Sequence, residues 1–199
     1  MTKKVVIASN NAHKVEEIKT ALSFEGWEYQ TMAEAGIVSS PEETGATFEE
    51  DARIKARAVY DITHTAVLAD DSGLIVDALD GAPGVYSSRY SGIEGDDEAN
   101  NAKLLEEMRN VPENERTARF ACALVFIDDD GTETVAEGFI EGRIGHEEKG
   151  AEGFGYDPLF WPEYFDYSCT LAEVPQREKN KISHRGNALR ELKKYLSNS

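Results

Sequence analysis

The chain opens with an apolar run, Val5 to Ala8, that stops at Ser9-Asn10-Asn11, and Val15, Ile18 and Leu22 then recur at helical spacing until Gly26. A short buried strand feeding a capped amphipathic helix is a repeating step of α/β folds. The pattern continues. Thr47 and Glu50 form a capping-box pair ahead of a second helix through Phe48, Ala52 and Val59, and Ala66 to Ala69 reads as a buried strand ending at Asp70-Asp71. Asp97 to Met108 has helical spacing, Arg119–Ile127 and Glu133–Ile144 read as a hairpin of long strands, and Ser183 stands as cap of a terminal helix that turns Ala188, Leu189, Leu192 and Leu196 inward. No repeat, low-complexity tract or long linker interrupts this order, so we expect one domain over residues 1–199, long enough to bury a sizeable core.

Charge and cysteine content narrow the functional classes. A formal charge of −17 opposes sequence-independent binding to a nucleic-acid backbone, which depends on lysine and arginine displacing counterions. Most of that charge reads as a solvated acidic surface. The two cysteines, Cys122 and Cys169, are far apart and in no C-x-x-C pair, so neither a disulfide framework nor a zinc site is expected. No apolar stretch is long enough to cross a bilayer and no signal-peptide core follows Met1, which leads us to expect a cytoplasmic protein without a membrane partner.

Polar groups gather where strands end and helices begin, the edge at which α/β proteins bind ligands. SNNAHK, Ser9 to Lys14, offers helix N-terminal amides, a hydroxyl and a lysine suited to phosphate, although Asn11 also serves as an ordinary cap. Lys55 shares the inward face of Phe48 and Val59, where an ammonium needs an anion. The plainer reading pairs it with Asp51 at i,i+4, worth only a few tenths of a kcal/mol. Ser183-His184-Arg185 puts cationic side chains in the first turn of a helix, against the helix dipole by about 0.3 to 1 kcal/mol each, and Lys179 and Lys181 add to the local positive charge. An anionic or electron-rich ligand reverses that sign. Carboxylates beside a polyphosphate make sense with a cation between them, and Glu42, Glu43, Asp70 and Asp71 are hard oxygen donors that point to Mg²⁺. Because successive strand side chains face opposite ways, one aspartate of the pair can hold metal or activate water while the other braces the backbone.

The run LVFIDDDGT, Leu124 to Thr132, resembles the opening of a haloacid-dehalogenase-type phosphatase, whose first aspartate attacks phosphorus. A strand-like TETVAEGFIEG follows it here in place of a helix, and Asp-Gly between two strands is a hairpin signal. We therefore read a turn.

Six ordered blocks, SNNAHK, EETGATFEEDARIKA, ADDSGLIVDALDGAPGVYSSRYSG, RTARFACAL, GFGYDPLF and EKNKISHRGNAL, together resemble the inosine triphosphate pyrophosphatase (Ham1-like) family over nearly the whole chain. The resemblance implies an α/β fold with a long mixed β-sheet flanked by helices, in two lobes around a central cleft, and a homodimer. It implies a hydrolase that converts inosine, deoxyinosine and xanthosine triphosphates to the monophosphate and pyrophosphate, cleansing the nucleotide pool. Carried over by position, Ser9, Asn11 and Lys14 with Lys55 would hold phosphates, and Asn10, Ala12 and His13 would also bind substrate. Glu43 and Asp71 would hold Mg²⁺, and Asp71 would also act as general base. Ser72 would touch substrate, and Phe154, Gly155, Tyr156, Asp157, Lys179, His184 and Arg185 would form the base pocket. The rival readings are a phosphomonoesterase built on Asp128 and Asp130, and a nucleotide-binding regulator without turnover.

Overall fold

A computed structural model describes residues 2–22 and 24–197. In chain order the elements are β1 (Lys3–Ile7), α1 (Ala12–Ala21), β2 (Trp27–Thr31), α2 (Phe48–Thr63), β3 (Ala66–Val76), α3 (Asp97–Glu107), β4 (Thr117–Ile127), β5 (Glu133–Ile144), β6 (Phe160–Pro162), α4 (Gln176–Ile182) and α5 (His184–Ser197), with short 3₁₀ turns between some of them. The strands form one sheet in the order β2-β1-β3-β4-β5-β6. β1 runs parallel to both β2 and β3, and β6 pairs antiparallel with β5, so the sheet is mixed.

By contact the chain falls into two compact units. The first comprises residues up to Asp71, Cys122–Gly138 and Arg185 onward; the second comprises Ser72–Ala121 and Phe139–His184. In the first unit β3 has helices on both faces. Ala66 and Leu68 pack with Ile18 of α1 and Leu189 and Leu192 of α5. The alternate residues Val67 and Ala69 pack with Ala52 and Val59 of α2. This explains why the run is apolar without alternation: a strand covered on both sides has no solvent face. The second unit gathers Leu74 and Val76 with Leu104 of α3, Met108 just beyond its end, Phe120, Ile140, Phe160 and Leu171.

The helix starts follow local chemistry. The Asn11 side chain accepts from the Lys14 amide at the head of α1, and the Thr47 hydroxyl accepts from the Glu50 amide at the head of α2. Glu50 reaches the Ala46 amide at 2.6 Å instead of the Thr47 amide, so the reciprocal half of the expected box is displaced by one residue. Glu49, Glu50 and Asp51 fill the first turn of α2, where the dipole favours anions.

Three features differ from the sequence reading. β3 does not end at the acidic pair but continues to Val76, because Leu74 and Val76 are apolar and fully buried, which keeps the chain extended past Ser72-Gly73. The basic segment before α5 is itself helical, as α4, and Ser183 closes it by donating its amide to the Lys179 carbonyl at 2.8 Å. Finally, β2 escaped notice because its residues, WEYQT, are only partly buried and lack a clean alternation.

The turn between β4 and β5 employs all three aspartates structurally. Asp128 meets Lys3 Nζ at 2.5 and 2.7 Å, Asp129 Oδ1 accepts from the Ala66 amide at 2.8 Å, and Asp130 Oδ1 accepts from the Thr132 amide at 2.8 Å. Gly131 supplies the positive φ of 85° that the tight turn requires. None of these carboxylates is arranged as a nucleophile.

Leu68 is fully buried at the centre of the first unit. Leu68→Ala is expected to lower the unfolding free energy by about 2–5 kcal/mol, measured by urea denaturation with the slope m unchanged.

Candidate functional site

The alternation of β3 sends Asp70 and Asp71 to opposite faces, each into its own set of charges. Asp70, 1% exposed, follows Ala66 and Leu68 towards α1 and α5. There its Oδ2 meets Lys14 Nζ at 3.2 Å and accepts from Arg185 Nε and Nη2 at 3.2 and 3.0 Å. Arg185 Nη1 donates to Glu17, so a fully buried guanidinium is shared by two carboxylates. Burial alone would raise the Asp70 carboxyl, but Lys14, Arg185 and Lys55 outweigh it and hold the group far below the ordinary carboxylate range. Asp70 therefore stays ionised. The expectation that one aspartate of the pair braces the backbone is corrected: the Asp70 side chain orients other side chains, one lysine and one arginine.

Asp71, 7% exposed, follows Val67 and Ala69 towards α2. Its Oδ1 accepts from Lys55 Nζ at 2.7 Å, and the same ammonium lies 3.6 Å from Glu43 Oε1. Burial raises the Asp71 carboxyl; Lys55 and Lys14 pull it down, Asp70 pushes it up, and the net direction is upward. For Lys55, burial favours the neutral amine, yet Asp71, Asp70 and Glu43 keep it protonated above its ordinary range. The sequence alternative of an Asp51–Lys55 helix pair is not what forms, because the buried Asp71 of β3 and the half-buried Glu43 of the loop before α2 compete for the ammonium.

Oxygen atoms of Glu43, Asp51 and Asp71 lie within 4.8 Å of one another, one from each residue. Glu42, by contrast, is exposed. Asp51 is 1% exposed, and its Oδ2 meets no hydrogen-bond donor among the described residues. Clustered carboxylates with a buried, unsatisfied oxygen fit a hard divalent cation of the Mg²⁺ kind.

The segment Ser9 to Lys14 leads from β1 into α1. Ser9 Oγ accepts from the Asn11 amide at 3.2 Å, Asn10 Nδ2 donates to the Ser39 carbonyl at 3.4 Å, and Ala12 and His13 begin the helix with exposed side chains. These residues stand in the same unit as Lys14, Lys55, Glu43 and Asp71.

The remaining predicted residues belong to the second unit, Ser72–Ala121 and Phe139–His184. Ser72, half-buried, opens it on β3. Lys179 and Asp157, 2% and 3% exposed, form an ion pair at 2.5 Å, and the ammonium lies 4.7 Å from the centroid of the Phe154 ring. The Phe154 amide donates to Asp157 Oδ2 at 3.0 Å. Gly153, at φ +80°, allows this arrangement because a Cβ there would lie 2.1 Å from Asp157 Oδ2. The Tyr156 hydroxyl donates to the Ser87 carbonyl at 2.8 Å, and His184 stacks on Phe120 with centroids 5.0 Å apart. Phe154, Asp157 and Lys179 are thus one bonded group, while the Tyr156 hydroxyl is held separately by Ser87.

Some residues of these groups escaped the sequence reading. Asp97 accepts from the Gly155 amide at 2.7 Å and Asn101 donates to the Gly155 carbonyl at 3.1 Å, so α3 holds the turn at Gly155 by both backbone groups. A signal was present: Asn101 is polar yet lies on the buried stripe with Leu104 and Met108. Glu17 and Asp51 gave no comparable signal, since a glutamate and an aspartate inside helices normally mark solvated positions.

A sequence model of the Ham1 family matches residues 5–195. The chain belongs to the Ham1 family. It is 49% identical over 195 residues to a dITP/XTP pyrophosphatase of Bacillus subtilis (strain 168), covering 98% of this chain and 97% of that protein. A dITP/XTP pyrophosphatase of Clostridium perfringens (strain 13 / Type A) is 50% identical over 201 residues, again with 98% and 97% covered. Among solved structures, the Ham1 protein of Staphylococcus aureus superposes with a TM-score of 0.89 at 39% identity, covering 98% of this chain and 99% of that one. A HAM1 protein from Coxiella burnetii gives 0.90 at 38% identity over the full length of both chains. The Ham1 assignment thus rests on sequence and fold together, and the mixed sheet with flanking helices is the Ham1 fold.

The resemblance sets Arg185 among base-contacting residues, whereas its guanidinium is bonded to Asp70 and Glu17. Arg185→Met leaves two buried carboxylates without this partner and is expected to cost about 3–5 kcal/mol of stability, read as a lowered urea midpoint. A loss below about 1 kcal/mol would show that the three charges are not coupled in the folded state.

Proposed function

We propose that this Ham1-family chain hydrolyses non-canonical purine nucleoside triphosphates, with dITP, XTP and ITP as substrates, to the nucleoside monophosphate and pyrophosphate. The observation that carries the reading is the pairing of Asp71 with Lys55 beside Glu43 and Asp51, a buried carboxylate cluster that holds a lysine. Clustered carboxylates with a lysine beside them suit a metal–polyphosphate complex. The names of the Bacillus and Clostridium relatives support the same substrate class.

Phosphates are assigned to Ser9, Asn11, Lys14 and Lys55, and Asn10, Ala12 and His13 also bind substrate. The metal is assigned to Glu43 and Asp71, and Mg²⁺ when bound would neutralise phosphate charge and lower the pKa of water. Asp71 is the general base: its carboxylate takes a proton as the water oxygen bonds to the α-phosphorus and the bond to the pyrophosphate oxygen breaks. Asp71 suits that task better than Asp70 because it stands with the carboxylates assigned to the metal, whereas Asp70 lies on the other face of β3 with its Oδ2 engaged by Lys14 and Arg185. Asp70 keeps Lys14 in place, and Arg185, through Asp70, is a positioning residue. Ser72 touches substrate, and the purine is assigned to Phe154, Gly155, Tyr156, Asp157, Lys179 and His184. Residues 1–199 act as one functional domain, and we infer a homodimer in the cytoplasm.

The direct test is product analysis with inosine triphosphate. Monophosphate and pyrophosphate are expected in equal amounts, with activity lost in chelator and restored by Mg²⁺. Asp71→Asn keeps the side-chain shape and should lower kcat by about 10²- to 10⁴-fold, the usual weight of a general base. Stepwise release of orthophosphate would instead identify a phosphatase, and binding without products a regulator.

Purine choice offers a second check. Hypoxanthine and xanthine carry an oxygen at position 6 where adenine carries an amino group, and an imidazole N–H can donate to the former only. His184→Phe retains an aromatic ring for Phe120 to stack on but removes the donor. Since an unpaired buried group costs about 1–3 kcal/mol, the ratio of kcat/KM for inosine over adenosine triphosphate should shrink by roughly tenfold. If both substrates lose equally, His184 does not read position 6.

A further inference from the structure

Asp51 occupies the first turn of α2, one helical turn before Lys55, where its backbone amide donates to the Thr47 carbonyl at 3.2 Å. Its two carboxylate oxygens are treated differently. Oδ1 accepts from the Gly45 amide at 2.7 Å, which ties down the loop that carries Glu43 two residues earlier. The approach is close enough to need glycine, since a Cβ at position 45 would lie 2.7 Å from Asp51 Oδ1. Oδ2 is buried and meets no donor among the described residues. A carboxylate that is 1% exposed with one oxygen unsatisfied is costly unless a cation completes it. Oxygens of Asp51, Glu43 and Asp71 already stand within 4.8 Å of one another.

We infer that Asp51 is a third carboxylate of the metal centre, fixed in advance by the Gly45 amide, so that the chain takes up a divalent cation before any nucleotide arrives. This deepens the metal assignment above and rests on it. Mg²⁺ sites in nucleotide enzymes commonly have one or two protein carboxylates and depend on substrate phosphates for the rest. A third carboxylate shifts that balance towards the protein. The same residue sets the position of Glu43, because the hydrogen bond from Gly45 to Asp51 joins the Glu43 loop to α2.

The test is binding of metal alone. Mn²⁺, which reports its own binding by electron paramagnetic resonance, is titrated into the full chain without nucleotide, and Mg²⁺ is followed by calorimetry. Asp51→Asn retains an acceptor for the Gly45 amide and nearly the same shape, but lacks the anionic charge. Its affinity for Mn²⁺ alone is expected to fall by about tenfold or more, comparable to Glu43→Gln. The metal-induced rise in Tm, taken against each variant's own value in chelator, should shrink in parallel, which keeps the comparison valid if the substitution changes basal stability. Wild-type affinity in Asp51→Asn, with loss in Glu43→Gln and Asp71→Asn, overturns the role of Asp51 and leaves the metal assignment standing. A wild-type chain that binds Mn²⁺ only with nucleotide also overturns it, while product release from inosine triphosphate in Mg²⁺ separately decides the pyrophosphatase reading.

Discussion

The two-residue repeat of a strand governs this protein's chemistry. β3 is covered by helices on both faces, so neighbouring side chains enter different interiors, and a pair of adjacent acids becomes two separate electrostatic problems. Asp70 meets Lys14 from α1 and Arg185 from α5, while Asp71 meets Lys55 from α2. A burial this deep is tolerable only because each carboxylate finds a cation supplied by the helix that covers its face. The placement of α1, α2 and α5 and the charge pattern of β3 are therefore one constraint.

That separation also sorts the two acids by behaviour. Asp70 accepts from a guanidinium and lies near two ammonium groups, which leaves it an anion at any working pH. For Asp71 burial, helped by the negative charge of its neighbour, outweighs the pull of Lys55 and Lys14, and its proton affinity rises. Two identical side chains one peptide bond apart thus differ in their readiness to take a proton, and the difference comes from which helix each one faces.

Much of this was legible in the sequence because the signals are local. Asn11 and Thr47 cap as their residue types demand, and the inward position of Lys55 follows from its spacing to Phe48 and Val59. Glu43 and Asp71 were both singled out, and Lys55 is within ion-pair distance of both. What escaped reading depends on partners distant in the chain. The Glu17–Arg185 bond joins residues 168 apart, and no local pattern marks the two as partners. Asp51 looked like the local mate of Lys55, since i,i+4 geometry is visible in sequence while the competing carboxylate of Asp71 is not. The extent of β3 is not legible locally, because Ser72-Gly73 resembles a break whereas burial of Leu74 and Val76 keeps the strand intact. Asp97 and Asn101 act on Gly155 across more than 50 residues, a pairing that no local pattern encodes.

The ion pair between Asp70 and Arg185 joins residues 115 apart, with Arg185 in the helix that ends the described chain. During synthesis the ribosome delivers Lys14, Lys55 and both aspartates long before this guanidinium emerges. At about 5–20 residues per second, a nascent chain spends several seconds with Asp70 lacking its arginine. Through that interval the first unit cannot close over β3 without burying an anion that has lost one of its cations. Arrival of α5, rather than local folding of α1 or α2, is then the event that seals the charge centre, and a translation product stopped at His184 would leave Asp70 without its arginine.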